Sequence, residues 1–331
     1  MSDLLQGLDR SVVADYDRLR DDCALIELAN VSLLELAGED RKGWLQGQVT
    51  QNLREFDTGS SRSFCFCTQS GQVISVVDAW AVPDRFLLTM PKSTVAAVQD
   101  HIERMVVIET VSQQLLSPPY RLFSVQGPRA TSVLSELIPL PLLDAAEAEL
   151  EGAPVFVFRS NRTGSGGWDV WIPAAKRKAV GALKAAIAPI SDEAFEIARI
   201  EAGIPAFGTD ITLKTIPMEM GDAFIRRTVS LNKGCYVGQE VLQRIHSRGH
   251  TNRTWVGLVA EEPLTDGMTV HQRGNESQGT VTSVAVSPEL GPIGAAVVRN
   301  AVAFDGESVR ITDGTRWIAA EVKLMPLLRF D

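Results

Sequence analysis

Cysteine is scarce in this chain. Its 331 residues include four, Cys23, Cys65, Cys67 and Cys235, too few for a disulfide scaffold of this length, and a reducing cytoplasm is the expected compartment. Long apolar runs are also missing. Stretches such as 293–298 fall far short of the roughly 20 residues a membrane-spanning helix needs, so a soluble protein with no membrane partner is expected. No long block of Lys or Arg occurs, and acidic residues outnumber basic ones by 41 to 32 for a net charge of −9. Direct nucleic-acid binding is therefore not expected. The N-terminal stretch carries Asp3, Asp15, Asp17, Asp21 and Asp22, where an export signal would place positive charge ahead of an apolar core.

Several chemical signatures are absent too. The glycine-rich run Arg162-Thr163-Gly164-Ser165-Gly166-Gly167 lacks the Gly-Lys-Ser/Thr of a phosphate loop and no Gly-x-Gly-x-x-Gly follows a strand, so the run reads as a hairpin turn. Cys65 and Cys67 have no second pair to complete a tetrahedral centre and read as core residues. His246 and His250 stand four apart, but Ser247 and Gly249 end the helix there and no Glu adjoins His246, so no metal site is expected. Spacing alone reveals no Ser-His-Asp set, carboxylate pair or internal repeat.

What remains is an ordinary globular composition, 45% hydrophobic and 22% charged, with a length suited to about two domains or three small ones. A polar helix-like stretch from residue 9 leads to a strand at 31–36, a turn at Gly38, and a helix capped by Asp40 with Trp44, Leu45 and Val49 at helical spacing. Residues 63–68 and 73–82 flank Gln69-Ser70-Gly71 as a hairpin, 86–90 add a third strand, and Ser93 caps a helix running to Met105. Strands at 120–125, 154–158 and 168–172 follow, with a helix over 174–188. Helices and strands mix without regular βα alternation, so the class is α+β. Beyond residue 250 short apolar runs separated by turns, among them 273–275, predict a small all-β barrel or sandwich beginning near Arg253.

The densest unusual stretch is Lys233-Gly234-Cys235-Tyr236-Val237-Gly238-Gln239-Glu240. Val241, Leu242 and Ile245 fit one face of a helix starting near Gly238, which puts Cys235 just ahead of a helix N-terminus. The positive end of that helix and the Lys233 ammonium would both favour a thiolate at Cys235. The alternative is a small buried cysteine in a tight turn.

This stretch resembles the signature of the YgfZ family, which is related to the T-protein, the aminomethyltransferase of the glycine cleavage system. Leu45-Gln46-Gly47-Gln48-Val49-Thr50, the hairpin around Gly71, Ile200-Glu201-Ala202-Gly203-Ile204-Pro205 and Gly279-Thr280-Val281-Thr282-Ser283 match further family segments in the expected order. The resemblance implies a GcvT-like folate-binding fold: residues 1–252 as a folate-binding core of two α+β subdomains, and residues 253–331 as a C-terminal β-barrel, arranged as a ring around a hole that holds a tetrahydrofolate. It further implies a cytoplasmic monomer that supports iron-sulfur cluster assembly or repair, or tRNA modification through iron-sulfur client proteins. Cys235 and Lys233 would then form the reactive centre.

The same resemblance carries over the folate site. The positions of the family's two folate-contacting tryptophans hold Val31 and Phe195, of which Phe195 offers a ring face. Arg199 is the nearest cation for the folate carboxylates, Ser165 ends the loop corresponding to the T-protein's pterin-holding loop, and Tyr236 and Gln239 belong to the cofactor-binding set. Ser75 and Val76 stand where T-proteins carry the aspartate tied to aminomethyl transfer, and Asp78 lies on the opposite strand face from Ser75. A glutamate is also missing at Ser165. Both departures speak against glycine cleavage. The competing readings are a tetrahydrofolate-dependent one-carbon transferase and a non-catalytic scaffold.

Overall fold

The chain folds around two antiparallel sheets and a barrel in a computed structural model that describes residues 8–116, 119–140, 143–249, 251–272 and 276–329. His250 and the expected turn at 273–275 lie outside the described residues. The hairpin at Gly71 forms from strands Ser61–Cys67 and Val73–Ala81. Gly71 turns it with φ +79°, a left-handed conformation that only glycine enters without penalty. Strands Arg85–Pro91, Val31–Ala37 and Ser112–Leu115 complete the first five-stranded sheet. Period-2 alternation decides what each face covers. Phe64, Phe66, Val77, Ala79, Leu34 and Leu88 meet Trp44 and Leu45 of helix Arg41–Gln48 and Val98 and Ile102 of helix Val95–Met105.

The second sheet joins strands Ala24–Leu28, Tyr120–Gln126, Gly167–Pro173, Ala153–Ser160 and Ala145–Leu150, with helices Ala130–Ser135 and Arg177–Ala186 contributing to the core on its far side. The remaining faces of the two sheets close on each other. Leu33, Trp80 and Leu87 of the first meet Leu122, Phe156, Phe158 and Trp171 of the second, and Trp80 stacks on Phe158 with ring centroids 4.1 Å apart. Helix Asp192–Glu201 packs on helix Arg10–Asp21 through Val12, Tyr16, Ala194 and Ile197. From Arg253 the chain forms a closed six-stranded barrel around Val256, Leu258, Val270, Ala296, Ile311 and Val322. The expected mixture of helices and antiparallel sheets followed by a separate C-terminal β-domain is observed, and that domain is a closed barrel, not a sandwich. Among the described residues no helix is long and apolar enough to cross a membrane.

Local differences from the sequence reading have simple causes. Ser93 lies inside a short 3-10 turn, Lys92–Thr94, and Thr94 precedes the helix, its hydroxyl donating to the Pro91 carbonyl at 2.8 Å. Asp40 begins its helix without a side-chain cap, because its carboxylate accepts the backbone N–H of Thr110 at 2.8 Å. Strand Ala24–Leu28 was not separated from its neighbour. It is five residues long and lies next to the start of Val31–Ala37, yet the two strands belong to different sheets.

Candidate functional site

Where the two sheets part, the apolar interface gives way to polar side chains, and a cleft of about 200 Å³ opens. Val76 and Asp78 reach it from the strand face that also carries Trp80. Asp78 accepts a hydrogen bond from Ser63 Oγ at 2.6 Å. Directly across the ladder from Asp78 stands Thr89, which lines the same cleft, is 3% exposed, and has a hydroxyl with no partner among the described residues. The second sheet contributes Asn161 and Arg162. Arg162 is held by the fully buried Asp169, whose Oδ1 accepts Arg162 Nε at 3.0 Å, Ser124 Oγ at 2.7 Å and Ser160 Oγ at 2.8 Å. The third wall is helix Asp192–Glu201 with Phe195 and Glu196, continued by Ile204, Pro205, Ala206 and Phe207.

Phe195 and Val31 both line this cleft, together with Leu28, Met90 and Ile211. Arg199 borders it as well, but its guanidinium is already committed. It donates to Asp210 Oδ2 at 2.9 Å, to the Ile204 carbonyl at 2.6 Å, to Ser283 Oγ at 2.9 Å and to Glu196 at 2.6 Å. A guanidinium with those bonds braces the wall and offers no free face to an incoming carboxylate. The open cation is Arg227, which borders the cleft, makes no ion pair among the described residues, and touches the Phe224 ring at 6.0 Å. Ser165 is half-buried in the 161–167 loop and does not line the cleft, whereas Asn161 and Arg162 of that loop do.

The cysteine stretch sits elsewhere, and none of Lys233, Cys235, Tyr236 and Gln239 lines the cleft. Lys233 is buried, and its Nζ donates to the carbonyls of Gln46, Val49 and Gln51 at 2.6, 2.6 and 2.9 Å. It closes the end of helix Arg41–Gln48, where carbonyls lack intrahelical partners. Burial pulls its pKa down to about 8. Lys233 therefore ties this loop to the first subdomain, a role the reading of it as an activator of Cys235 did not foresee. Tyr236 packs against the Lys233 ammonium at 4.8 Å, and burial pushes its phenol up to about 12. Gly238, at φ +85°, lies so close to the hairpin that a Cβ there would come within 2.6 Å of the Thr68 carbonyl oxygen. Helix Gln239–Arg248 follows it, and Cys235 is exposed, while Cys23, Cys65 and Cys67 are buried.

The geometry can be set beside known proteins. The GCVT N-terminal domain matches residues 5–233, and the glycine cleavage T-protein C-terminal barrel domain matches residues 253–328. The chain belongs to the glycine cleavage T-protein family. An aminomethyltransferase from Thermosynechococcus vestitus is 26% identical over 337 residues, covering 96% of this chain and 88% of that protein. A chloroplastic putative transferase from Arabidopsis thaliana is 22% identical over 316 residues, covering 92% and 72%. The crystal structure of glycine cleavage system aminomethyltransferase T from Bartonella henselae superposes with a TM-score of 0.86 at 21% identity over 96% of this chain and 90% of that one, which establishes the fold.

Family membership makes the carboxylates of the cleft the point of interest, and here the structure revises the argument from Ser75. Ser75 is fully buried and shares a hydrogen bond of 2.7 Å with Thr94 Oγ1 beneath the sheet. A side chain at that position faces away from the cleft. Val76, the other position matched to the T-protein aspartate, lines the cleft without a carboxylate, and Asp78, two residues further along the same strand face, is the carboxylate that strand presents there. An acceptor at Asp78, an unpartnered hydroxyl at Thr89, a ring at Phe195 and a cation at Arg227 can together bind a flat amine-bearing ring system with an acidic tail, and a carboxylate so placed can hold or take a proton. Thr89, Asn161 and Arg227 carried no sequence signal, since nothing in their local pattern distinguishes them from other strand and helix residues.

Proposed function

We propose that the chain binds a reduced folate in the cleft between its sheets and acts as a tetrahydrofolate-dependent one-carbon transferase on an aminomethyl or methyl donor. The observation that carries this reading is Asp78, a carboxylate on the cleft face beside the orphaned Thr89 hydroxyl. The residues present suit such a ligand. Phe195 offers a face to a pterin or benzoyl ring, Arg227 a charge to the tail carboxylate, and Asp78 a proton acceptor for an amine nitrogen. Tetrahydrofolate, when bound, supplies the nitrogens that carry the one-carbon unit. The test is a tetrahydrofolate titration followed by intrinsic tryptophan fluorescence, paired with turnover of aminomethyl-loaded carrier protein. Saturable binding with turnover that Asp78→Asn lowers by about 100-fold, the scale for losing a positioned acid or base, supports the reading; absence of saturable binding removes it.

A second reading is favoured by Cys235, the exposed cysteine in a loop otherwise pinned by Lys233 and Gly238. In it the chain is a cytoplasmic monomer of the YgfZ type that supports iron-sulfur client proteins, including tRNA-modifying enzymes, with Cys235 as reactive centre and folate as ligand. Its test is rescue of iron-sulfur enzyme activity in cells lacking the protein. Failure of Cys235→Ser with normal folding supports it, and full rescue by that variant discards it.

A further inference from the structure

Among the described residues, three of the four edges of the two open sheets are covered or charged, and one is bare. At one side of the first sheet, strand Ser61–Cys67 is covered by Thr50, whose N–H donates to the Cys65 carbonyl at 3.1 Å and whose Oγ1 accepts the Cys65 N–H at 2.9 Å. In the second sheet, Leu25 of the outer strand Ala24–Leu28 bonds through its backbone to Ala188 and Ile190 at 2.9 and 3.2 Å. The opposite outer strand, Ala145–Leu150, carries Glu147 and Glu149, charges of the kind that keep an open edge from pairing. Strand Ser112–Leu115, the other edge of the first sheet, has neither device: Ser112-Gln113-Gln114-Leu115 holds no charge and no proline. The Leu116 N–H donates to the Leu33 carbonyl at 2.8 Å, and Gln114 stands opposite Glu35. Antiparallel alternation therefore turns the backbone N–H and C=O groups of Gln113 and Leu115 away from the sheet. Just ahead of this strand the chain presents an apolar tip, with Val107 80% and Ile108 91% exposed. The tip is fixed in place. The Glu109 carboxylate accepts the amides of Val107 and Ile108 at 3.0 and 3.1 Å, the Thr110 N–H donates to Asp40 at 2.8 Å, and Trp44 Nε1 donates to the Met105 carbonyl at 3.1 Å. Leu115, at the far end of the strand, is 38% exposed. Apolar side chains held rigidly in water have already lost freedom that docking would otherwise cost.

We propose that a second copy of this chain covers the bare edge, the two Ser112–Leu115 strands pairing antiparallel about a two-fold axis so that the first sheets of both copies join. The patch is self-complementary, as a two-fold interface requires. Rotation sets the outward N–H groups of one strand against the outward C=O groups of the other, and it carries the Val107–Ile108 tip of each copy toward the Leu115 end of its mate. Apolar surface then meets apolar surface at both ends of the new ladder. A net charge of −9 opposes association of two copies at long range, but the paired strands themselves are neutral. A strand from a different protein would satisfy the backbone groups alone, whereas a second copy supplies the matching tip by symmetry. The inference is independent of the folate reading, and it replaces the monomer implied by the family resemblance with a dimer.

The experiment is sedimentation velocity on the full chain across a dilution series, for the wild type and for two variants at exposed positions. The wild type is expected to form a dimer that dissociates on dilution. Ile108→Asp and Leu115→Lys should each weaken association by about tenfold or more, the scale for setting a charge against buried aliphatic surface, with thermal unfolding unchanged. Mixed in equal amounts, the two variants should recover the dimer, because the two-fold axis then sets Asp against Lys at one end of the ladder and leaves Ile against Leu at the other. Where either variant fails to fold, Val107→Asp replaces the first and Gln114→Lys the second. A wild-type chain that stays monomeric at every concentration overturns the inference. A dimer that survives both substitutions places the interface elsewhere and also overturns it, and single variants that stay apart when mixed overturn the antiparallel two-fold pairing.

Discussion

Asp210 is the residue whose loss should reveal how the cleft is held. It is 2% exposed and accepts hydrogen bonds from three parts of the chain: Arg199 Nη1 at 2.9 Å, the Ala206 N–H at 2.9 Å, and the barrel donors Trp255 Nε1 at 3.2 Å, Thr282 Oγ1 at 2.6 Å and Ser283 Oγ at 2.8 Å. Asp210→Ala removes one member of a buried ion pair, a change that costs about 3 to 5 kcal/mol in comparable settings. Arg199 keeps Glu196, half of which is exposed, which pulls the expectation toward the lower end. The orphaned Ala206 amide and Trp255 indole each add about 1 kcal/mol. The working figure is about 4 to 5 kcal/mol, a large share of the roughly 5 to 15 kcal/mol that holds a typical protein folded. Asp210→Asn keeps an acceptor for the barrel hydroxyls and should lose about half as much. Urea unfolding measures both variants, and hydrogen exchange over 204–207 should rise in each even where the fold survives. A cost below about 1 kcal/mol for the alanine variant, with unchanged exchange in that segment, would refute the account of Asp210 as the tie between barrel and cleft wall.

Four further outcomes are expected. The folded pKa of Lys233, about 8, lies below the unfolded value of about 10.5, so the folded chain releases this proton first. Wild-type stability should therefore rise relative to Lys233→Met as pH climbs from about 8 to about 10.5, and a flat difference across that window contradicts the assignment. Gly238→Ala should destabilise by about 1 to 3 kcal/mol through its left-handed φ and the approach to Thr68, with thermal unfolding as the check; no loss means the loop sits elsewhere. Phe195→Ala should weaken reduced-folate binding by about 1 to 3 kcal/mol, and an unchanged dissociation constant in a folded variant moves the ligand out of the cleft. Iodoacetamide should label Cys235 well before Cys23, Cys65 and Cys67, because burial pushes Cys65 up to about 12 and keeps all three away from reagent; prior labelling of Cys65 in native protein, read by peptide mass, contradicts the placement.

Much of the fold was legible because periodicity and turn chemistry act locally. Gly71 between two runs of β-branched and aromatic residues announced a hairpin, and evenly spaced apolar runs after Arg253 announced the barrel. Strand Ala24–Leu28 was missed because its partner, Tyr120–Gln126, lies about a hundred residues along the chain, and pairing at that separation leaves no local mark. The same limit hid the meaning of Glu201. Its stretch stood out in the sequence, but the reason is tertiary: the buried carboxylate accepts hydrogen bonds from Tyr16 at 3.0 Å and Ser287 at 2.5 Å and pairs with Arg20, which joins the first helix to the barrel.

The candidate site shows the same boundary at closer range. Lys233, Gly238 and Cys235 are adjacent in sequence and were read as one chemical unit, yet Lys233 and Gly238 hold a loop against a helix end and a hairpin while Cys235 alone faces solvent. Residue type and spacing could not separate those roles, since a lysine that caps carbonyls and a lysine that activates a thiol are the same letter. With Ser75 and Asp78 the limit is parity. Strand alternation places them on opposite faces, but it does not say which face opens on a ligand. That was settled by Trp80 stacking on Phe158, which turns the face of Val76 and Asp78 toward the second sheet and leaves Ser75 under the first. A carboxylate introduced at position 75 would meet Thr94 in the core, so adding one there cannot stand in for Asp78 in the cleft.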